Sequence, residues 1–302
     1  RPAFPDGQWI VRLTDVEGNP RDTADALAEA LLAAGLDRSR IPDGAPARAA
    51  RLRAELADRA VLLLLDDAVD AAQVRPLLPG TSGCAAVITS RRDLRGLAAL
   101  DDAGVVELEP LRREESVRLL AALVQGGQAG GEETLSEIAR LCGDLPLALR
   151  VAAVNLAGRS PAEVSRYVAR LRSGDRLSLL SVAGDPQAAL RAAYDRSYRD
   201  LPPAARRLFR LLALAPGDDV TQEVAQALLA APGQDVEPLL AALTATHLLR
   251  RSDGHGQRLD VLLRLYAAER LTCEESPGSV AEASRRISDC GGRPAATSSG
   301  AS

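Results

Sequence analysis

The 302-residue chain contains no lysine; all 37 of its basic residues are arginines. That absence excludes chemistry resting on a side-chain amine, from Schiff bases to the lysine that grips phosphates in a Gly-rich phosphate-binding loop (P-loop). Methionine is also absent, aromatic residues make up 2%, and histidine occurs only as His247 and His255. With no G-x-S-x-G ahead of either histidine, Ser–His hydrolase chemistry has no support. Cys84, Cys142, Cys273 and Cys290 lie far apart without C-x-x-C spacing. They argue against a zinc site or a disulfide framework and for a reduced, cytoplasmic setting. No apolar run reaches the roughly 18–20 residues of a membrane span, and no basic-then-apolar leader opens the chain. A net charge of −4 and a pI of about 5.5 supply no global positive field for nucleic acid or an anionic membrane. The expected partners are therefore proteins or nucleotides. Arg1 stands first and Met is missing, so the chain is expected to be a fragment, or the product of an imperfect gene model, that began upstream.

The apolar content is Leu, Ala and Val, and its periodicity divides the chain. Residues 9–14 read as a short strand, 22–36 as a helix with Leu27, Ala30, Leu31 and Ala34 on one face, and 47–58 as a second helix. The run Val61-Leu62-Leu63-Leu64-Leu65 is continuously apolar, as expected of a parallel strand covered on both faces. Residues 85–89 and 105–108 read as two more strands, and strands alternating with helical segments specify an α/β parallel sheet. After Pro110 only helical periodicity remains, over 114–124, 132–142, 146–156 and a helix opened by Pro161. Helices at 187–200, 203–214, 221–230 and 236–247 follow a loop at Gly184-Asp185-Pro186. Residues 248–252 and 258–262 then flank Gly254-His255-Gly256 as a hairpin, which gives a winged-helix outline. From about residue 274 the chain is rich in Ser, Gly, Ala and Arg and is expected to be disordered. The expected fold is α/β then all-α, with domains at residues 1–110, 111–183 and 184–272 and a disordered tail at 273–302.

Three segments carry chemistry. Asp66 and Asp67 end an apolar strand, where carboxylates can position Mg²⁺ and water beside a nucleotide triphosphate. Paired acids at a strand end are also common by chance. The stretch Val87-Ile88-Thr89-Ser90-Arg91 ends a neighbouring strand, which puts Arg91 at the C-terminal sheet edge where ligands bind, able to read a γ-phosphate. Arg92 and Arg95 read equally well as solvated loop residues. The third is Cys142-Gly143-Asp144-Leu145-Pro146-Leu147-Ala148-Leu149, a helix–turn–helix corner with Pro146 at the first helical position.

The order of these segments, with a winged-helix pattern after them, resembles the NB-ARC class of STAND signalling NTPases, and most closely the bacterial SARP-type regulators. The resemblance runs from about Phe4 to Arg270 and takes in Pro5-Asp6-Gly7-Gln8, Leu201-Pro202-Pro203-Ala204-Ala205-Arg206-Arg207-Leu208-Phe209 and Leu263-Arg264-Leu265-Tyr266-Ala267. It implies an incomplete P-loop NTPase sheet, a helical bundle and a winged-helix domain. It implies that Asp66 holds Mg²⁺ through water, that Asp67 is the neighbouring acid, that Arg91 senses the γ-phosphate, and that Pro146 packs near the adenine of ATP or ADP. In this class ADP locks the winged helix over the nucleotide, and exchange for ATP opens the molecule to self-association.

Two departures bear on that cycle. The G-x-x-G-x-G-K-[ST] loop of the class is absent and would lie upstream of Arg1, so nucleotide binding by this chain is expected to be weak or absent and hydrolysis, slow at best in the class, lost. At the position where the class carries a phosphate-contacting His, this chain reads Leu259-Asp260-Val261, and a carboxylate facing phosphate repels it. A receiver domain requires a lysine that the chain lacks, and Asp66-Asp67-Ala68 does not supply the D-x-D of a haloacid-type phosphatase. The helix at 236–247, where a winged helix would read DNA, contains no arginine. DNA binding is therefore expected only through a domain outside this chain. The alternatives left by the sequence are a regulatory nucleotide switch and a nucleotide-independent protein scaffold.

Overall fold

The computed structural model describes residues 3–124, 131–174, 176–182, 184, 190–233, 235–251 and 256–291. They form two compact units that divide between Glu107 and Leu108.

The first unit is built on three parallel strands, β1 (Gly7–Arg12), β2 (Val61–Ala68) and β3 (Ala85–Ser90), in the order β1-β2-β3. Helices α1 (Thr23–Ala33) and α2 (Ala45–Leu56) cross from β1 to β2, and the short α3 (Ala71–Val74) leads from β2 toward β3, with α4 (Arg95–Asp101) after it. Asp22 starts α1 by accepting the Ala24 amide at 2.7 Å, and Asp70 starts α3 by accepting that of Gln73 at 2.8 Å. Alternation sorts each strand. Trp9 and Val11 of β1 and Val61, Leu63 and Leu65 of β2 join Leu27, Leu31, Leu52 and Leu56 in one buried core. The opposite side of the sheet departs from the expectation for a strand covered on both faces. Leu62 and Leu64 are only part-buried, and Ile10 and Val87, which flank Leu64 in register, are 60% and 50% exposed.

The strand expected at residues 105–108 does not form. Val105, Val106 and Leu108 are exposed and belong to no strand or helix. Apolar β-branched residues favour a strand only where a neighbouring edge supplies hydrogen bonds, and no described residue pairs with this segment.

The second unit is helical. It comprises α5 (Arg113–Leu123), α6 (Glu132–Leu141), α7 (Pro146–Leu156), α8 (Pro161–Arg172), α9 (Arg176–Leu179), α10 (Leu190–Arg199), α11 (Pro203–Leu211), α12 (Gln222–Leu229), α13 (Glu237–Ala245), α14 (Val261–Glu274) and α15 (Pro277–Gly291). Most of the chain's few aromatic rings gather here. Tyr194, Tyr198, Phe209 and Tyr266 stack edge-on or tilted at 5.6–6.0 Å between centroids, joining α10, α11 and α14. Three two-residue strands, β4 (Asp219–Val220), β5 (Arg250–Arg251) and β6 (Gln257–Arg258), form an antiparallel sheet in the order β4-β6-β5. The β5–β6 hairpin matches the sequence expectation, but its second strand is shorter: Val261 and Leu262 begin α14 instead. Residues 254 and 255 of the expected turn, residue 252 of the strand before it, and residues 185–186 of the expected loop lie outside the described residues.

The disorder expected from residue 274 is corrected. Residues 277–291 form α15, with Ala283 and Ile287 buried and Val280 packed against the core. Arg286 adds a specific reason for docking, donating from Nε and Nη2 to the carbonyls of Ala227 and Leu228 at 2.8 and 2.9 Å. Both carbonyls lie in the last turn of α12, where Ala227 also accepts the Ala230 amide at 3.3 Å. The apolar spacing 280, 283, 287 is helical, but it is sparse among Ser, Arg and Gly, and composition outweighed it. The remaining residues of the expected tail, 292–302, are not among those described.

Candidate functional site at the end of the parallel sheet

Asp66, Asp67 and Arg91 meet at the C-terminal edge of the three strands, joined by two residues that motif reading did not single out as site residues, Thr14 and Thr89. The local cause is a bulge. Register between β2 and β3 shifts after Leu65, so that Asp66 and Asp67 together oppose Thr89, and Asp67 takes a left-handed backbone with φ of +59°. Aspartate tolerates that conformation better than most residues. Thr89 stabilises it by accepting the Asp67 amide at 2.9 Å while donating its hydroxyl to Asp66 Oδ1 at 2.7 Å.

The bulge sends the two carboxylates into different surroundings. Asp66 has Thr89 on Oδ1, and no described residue occupies Oδ2. Asp67 is engaged on both oxygens: Arg91 donates from Nε to Oδ1 at 2.9 Å and from Nη2 to Oδ2 at 3.0 Å, and Thr14 donates to Oδ2 at 2.7 Å. Thr14 is a buried polar residue just beyond β1, so the network ties the ends of all three strands. Arg91 Nη1 is enclosed by protein atoms and has no hydrogen-bond partner. Ser90 fixes the following turn, donating to the Ala68 carbonyl at 2.8 Å and accepting the Arg92 amide at 2.9 Å.

Among the described residues no group of three or more His, Cys, Asp or Glu could hold a metal ion. One carboxylate with a hydroxyl beside it fits Mg²⁺, which keeps several waters and takes its other ligands from substrate phosphates. It does not fit a protein-caged metal.

Pro146 belongs to the second unit, where it opens α7. The corner before it is turned by two successive left-handed residues, Gly143 at φ +62° and Asp144 at φ +54°. The Asp144 carboxylate is gripped by Arg113, Nε to Oδ1 at 2.9 Å and Nη2 to Oδ2 at 2.6 Å, and its carbonyl accepts the Leu111 amide at 3.0 Å. Gly143 lies against Leu262 and Val261, so the corner packs on the first turn of α14. Asp260 precedes that turn. Its Oδ2 is 3.5 Å from Arg250 Nη1. Burial raises the pKa of the Tyr194 hydroxyl, and the Asp260 charge raises it further. Beside Cys142, burial first and then the Asp144 charge push the thiol up to about 12.

No protein-family model matches the chain. Regulatory protein AfsR of Streptomyces coelicolor is 42% identical over 268 residues, covering 88% of this chain and 26% of that protein. Regulatory protein AfsR of Streptomyces griseus is 39% identical over 278 residues, covering 92% of this chain and 28% of that protein. The chain thus spans about a quarter of the length of these relatives. They bear out the resemblance to SARP-type regulators. A STAND protein with a tetratricopeptide repeat sensor from Pyrococcus horikoshii aligns over 94% of the chain and 46% of its own, at 13% identity and a TM-score of 0.35, too low to carry an argument.

Proposed function

Taking the chain as homologous to one segment of the AfsR regulatory proteins, we propose that it comes from the switch region of a cytoplasmic regulator of transcription that responds to ATP and ADP. The observation that carries this reading is the convergence of Asp66, Asp67 and Arg91, from two neighbouring strands, at one sheet edge. A magnesium-bound nucleotide there would bring phosphate charge to Asp66 through the metal and to the arginine directly. The class pattern assigns Pro146 to the adenine, and Asp260, with Arg250 beside it, stands where the class carries its His.

Residues 184–272 serve as the winged helix of the switch. Its candidate reading helix, α13, has no arginine. Two wing arginines are paired with carboxylates of their own unit, Arg250 with Asp260 at 3.5 Å and Arg258 with Asp218 at 3.1 Å. That supports an intramolecular or protein-facing role over DNA contact. DNA binding by the whole regulator then resides elsewhere, and self-association or protein partners carry the output.

One observation favours the scaffold alternative. A chain without lysine cannot supply the P-loop Lys. Calorimetry with ATP and ADP on this polypeptide and on one extended upstream separates the readings. Weak or absent binding by the short form and micromolar binding by the long form is the expected result. No binding by the long form means a scaffold, and micromolar binding by the short form means that this chain needs no P-loop.

A further inference from the structure

The two adjacent acids do not occupy equivalent positions. Resting on the nucleotide reading above, we infer that they have separate duties: Asp66, oriented by Thr89, is the only one placed to serve a metal-bound phosphate, and Asp67 is a positioning residue that holds Arg91.

A general base must offer a lone pair to the water it activates, within hydrogen-bond reach. Asp67 has both oxygens committed, one of them to two donors, and the guanidinium fork fixes its plane. Taking a proton from water would break that fork and set an uncompensated arginine against the sheet edge. Asp66 keeps Oδ2 clear of described partners, and the Thr89 hydroxyl on Oδ1 sets the direction of the other oxygen.

The same geometry defines what Asp67 does for Arg91. With Nε and Nη2 paired, the remaining donor nitrogen, Nη1, is enclosed and unpartnered. A buried donor without an acceptor is poised to take one, so a small movement that brings Nη1 to a phosphate oxygen completes the hydrogen bonding of the group. Asp67 thereby aims a guanidinium, and Thr14 steadies Asp67 from β1. The left-handed bulge matters because it turns Asp67 toward Arg91 while leaving Asp66 on the strand.

The test has two arms. In the 302-residue chain without nucleotide, the Arg91 Nε–H resonance, assigned by its loss in Arg91→Lys, should be slow to exchange with water. Asp67→Asn should make it exchange fast, Asp66→Asn should leave it slow, and circular dichroism should match wild type throughout. An Arg91 signal indifferent to Asp67→Asn overturns the proposal.

In the upstream-extended polypeptide, ATP turnover should fall by the same factor in Asp67→Asn, Arg91→Ala and the double variant, because one duty is lost in each. A further loss of about 10²–10⁴-fold on adding Asp67→Asn to Arg91→Ala is the signature of a general base and overturns the proposal. If the extended wild type neither binds nor hydrolyses ATP, the nucleotide reading fails, and the resonance arm alone decides whether Asp67 positions Arg91.

Discussion

Raising the pH above 10 should unfold the second unit selectively. All four tyrosines, at 167, 194, 198 and 266, lie in it, while the single tryptophan, Trp9, lies in the first. Burial raises the pKa of each tyrosine, taking Tyr167 to about 12. Burial likewise carries the Cys142 thiol up to about 12. A group whose folded pKa is raised stabilises the fold fully below its unfolded pKa, and that contribution disappears as pH climbs toward the folded value. For the tyrosines the window opens near pH 10, and for Cys142 near pH 9. Each group costs about 1.4 kcal/mol per pH unit within its window. By pH 11 Cys142 has withdrawn nearly 3 kcal/mol, and Tyr167 and Tyr194 together a similar amount, about 5 kcal/mol in all. Tyr266, fully buried with the Asp195 charge beside it, adds to that loss, and Tyr198, whose hydroxyl accepts from Arg210, adds less. A domain is typically stable by about 5–15 kcal/mol, so this loss is decisive. The lysine-free composition makes the experiment clean, since arginine stays charged and only tyrosine and cysteine titrate in this range. Tyrosinate absorbance should appear together with loss of helical ellipticity, at a pH where the Trp9 emission wavelength has not moved. Tyrosinate forming at an ordinary pKa of about 10 with ellipticity intact would refute the reasoning.

Two further substitutions test packing. Ala230 closes α12 at φ +57°, a left-handed position that penalises a Cβ, so Ala230→Gly should stabilise the protein by about 0.5–1 kcal/mol in urea melts even though glycine gains unfolded-state freedom. The Arg210 side chain is 12% exposed and donates to Glu275 at 2.5 Å, Glu274 at 2.9 Å and the Tyr198 hydroxyl at 2.6 Å. Arg210→Ala leaves the carboxylate of Glu275, itself 9% exposed, with only the more distant Arg207 and the Ser279 hydroxyl, and should cost about 3 kcal/mol by denaturant unfolding. A double variant with Glu275→Gln should recover part of that loss.

The sequence by itself determined the parts that depend on periodicity and local chemistry. The apolar run at residues 61–65 and the succession of strands and helical segments set a parallel sheet, the spacing in α1, α6 and α7 set helices, and Gly143 before Pro146 set the corner. It also placed Asp66, Asp67 and Arg91 at strand ends, and from there at one sheet edge. What it could not decide depends on partners distant in the chain. Residues 105–108 carry strand propensity but find no edge, and residues 277–291 look too polar until Arg286 meets the carbonyls of α12. Only the tertiary structure separated the two acids. A one-residue register shift against β3 turns Asp67 onto Arg91 and Thr14 and leaves Asp66 under Thr89, because hydrogen bonds across strands, not the letters Asp-Asp, choose where each carboxylate points.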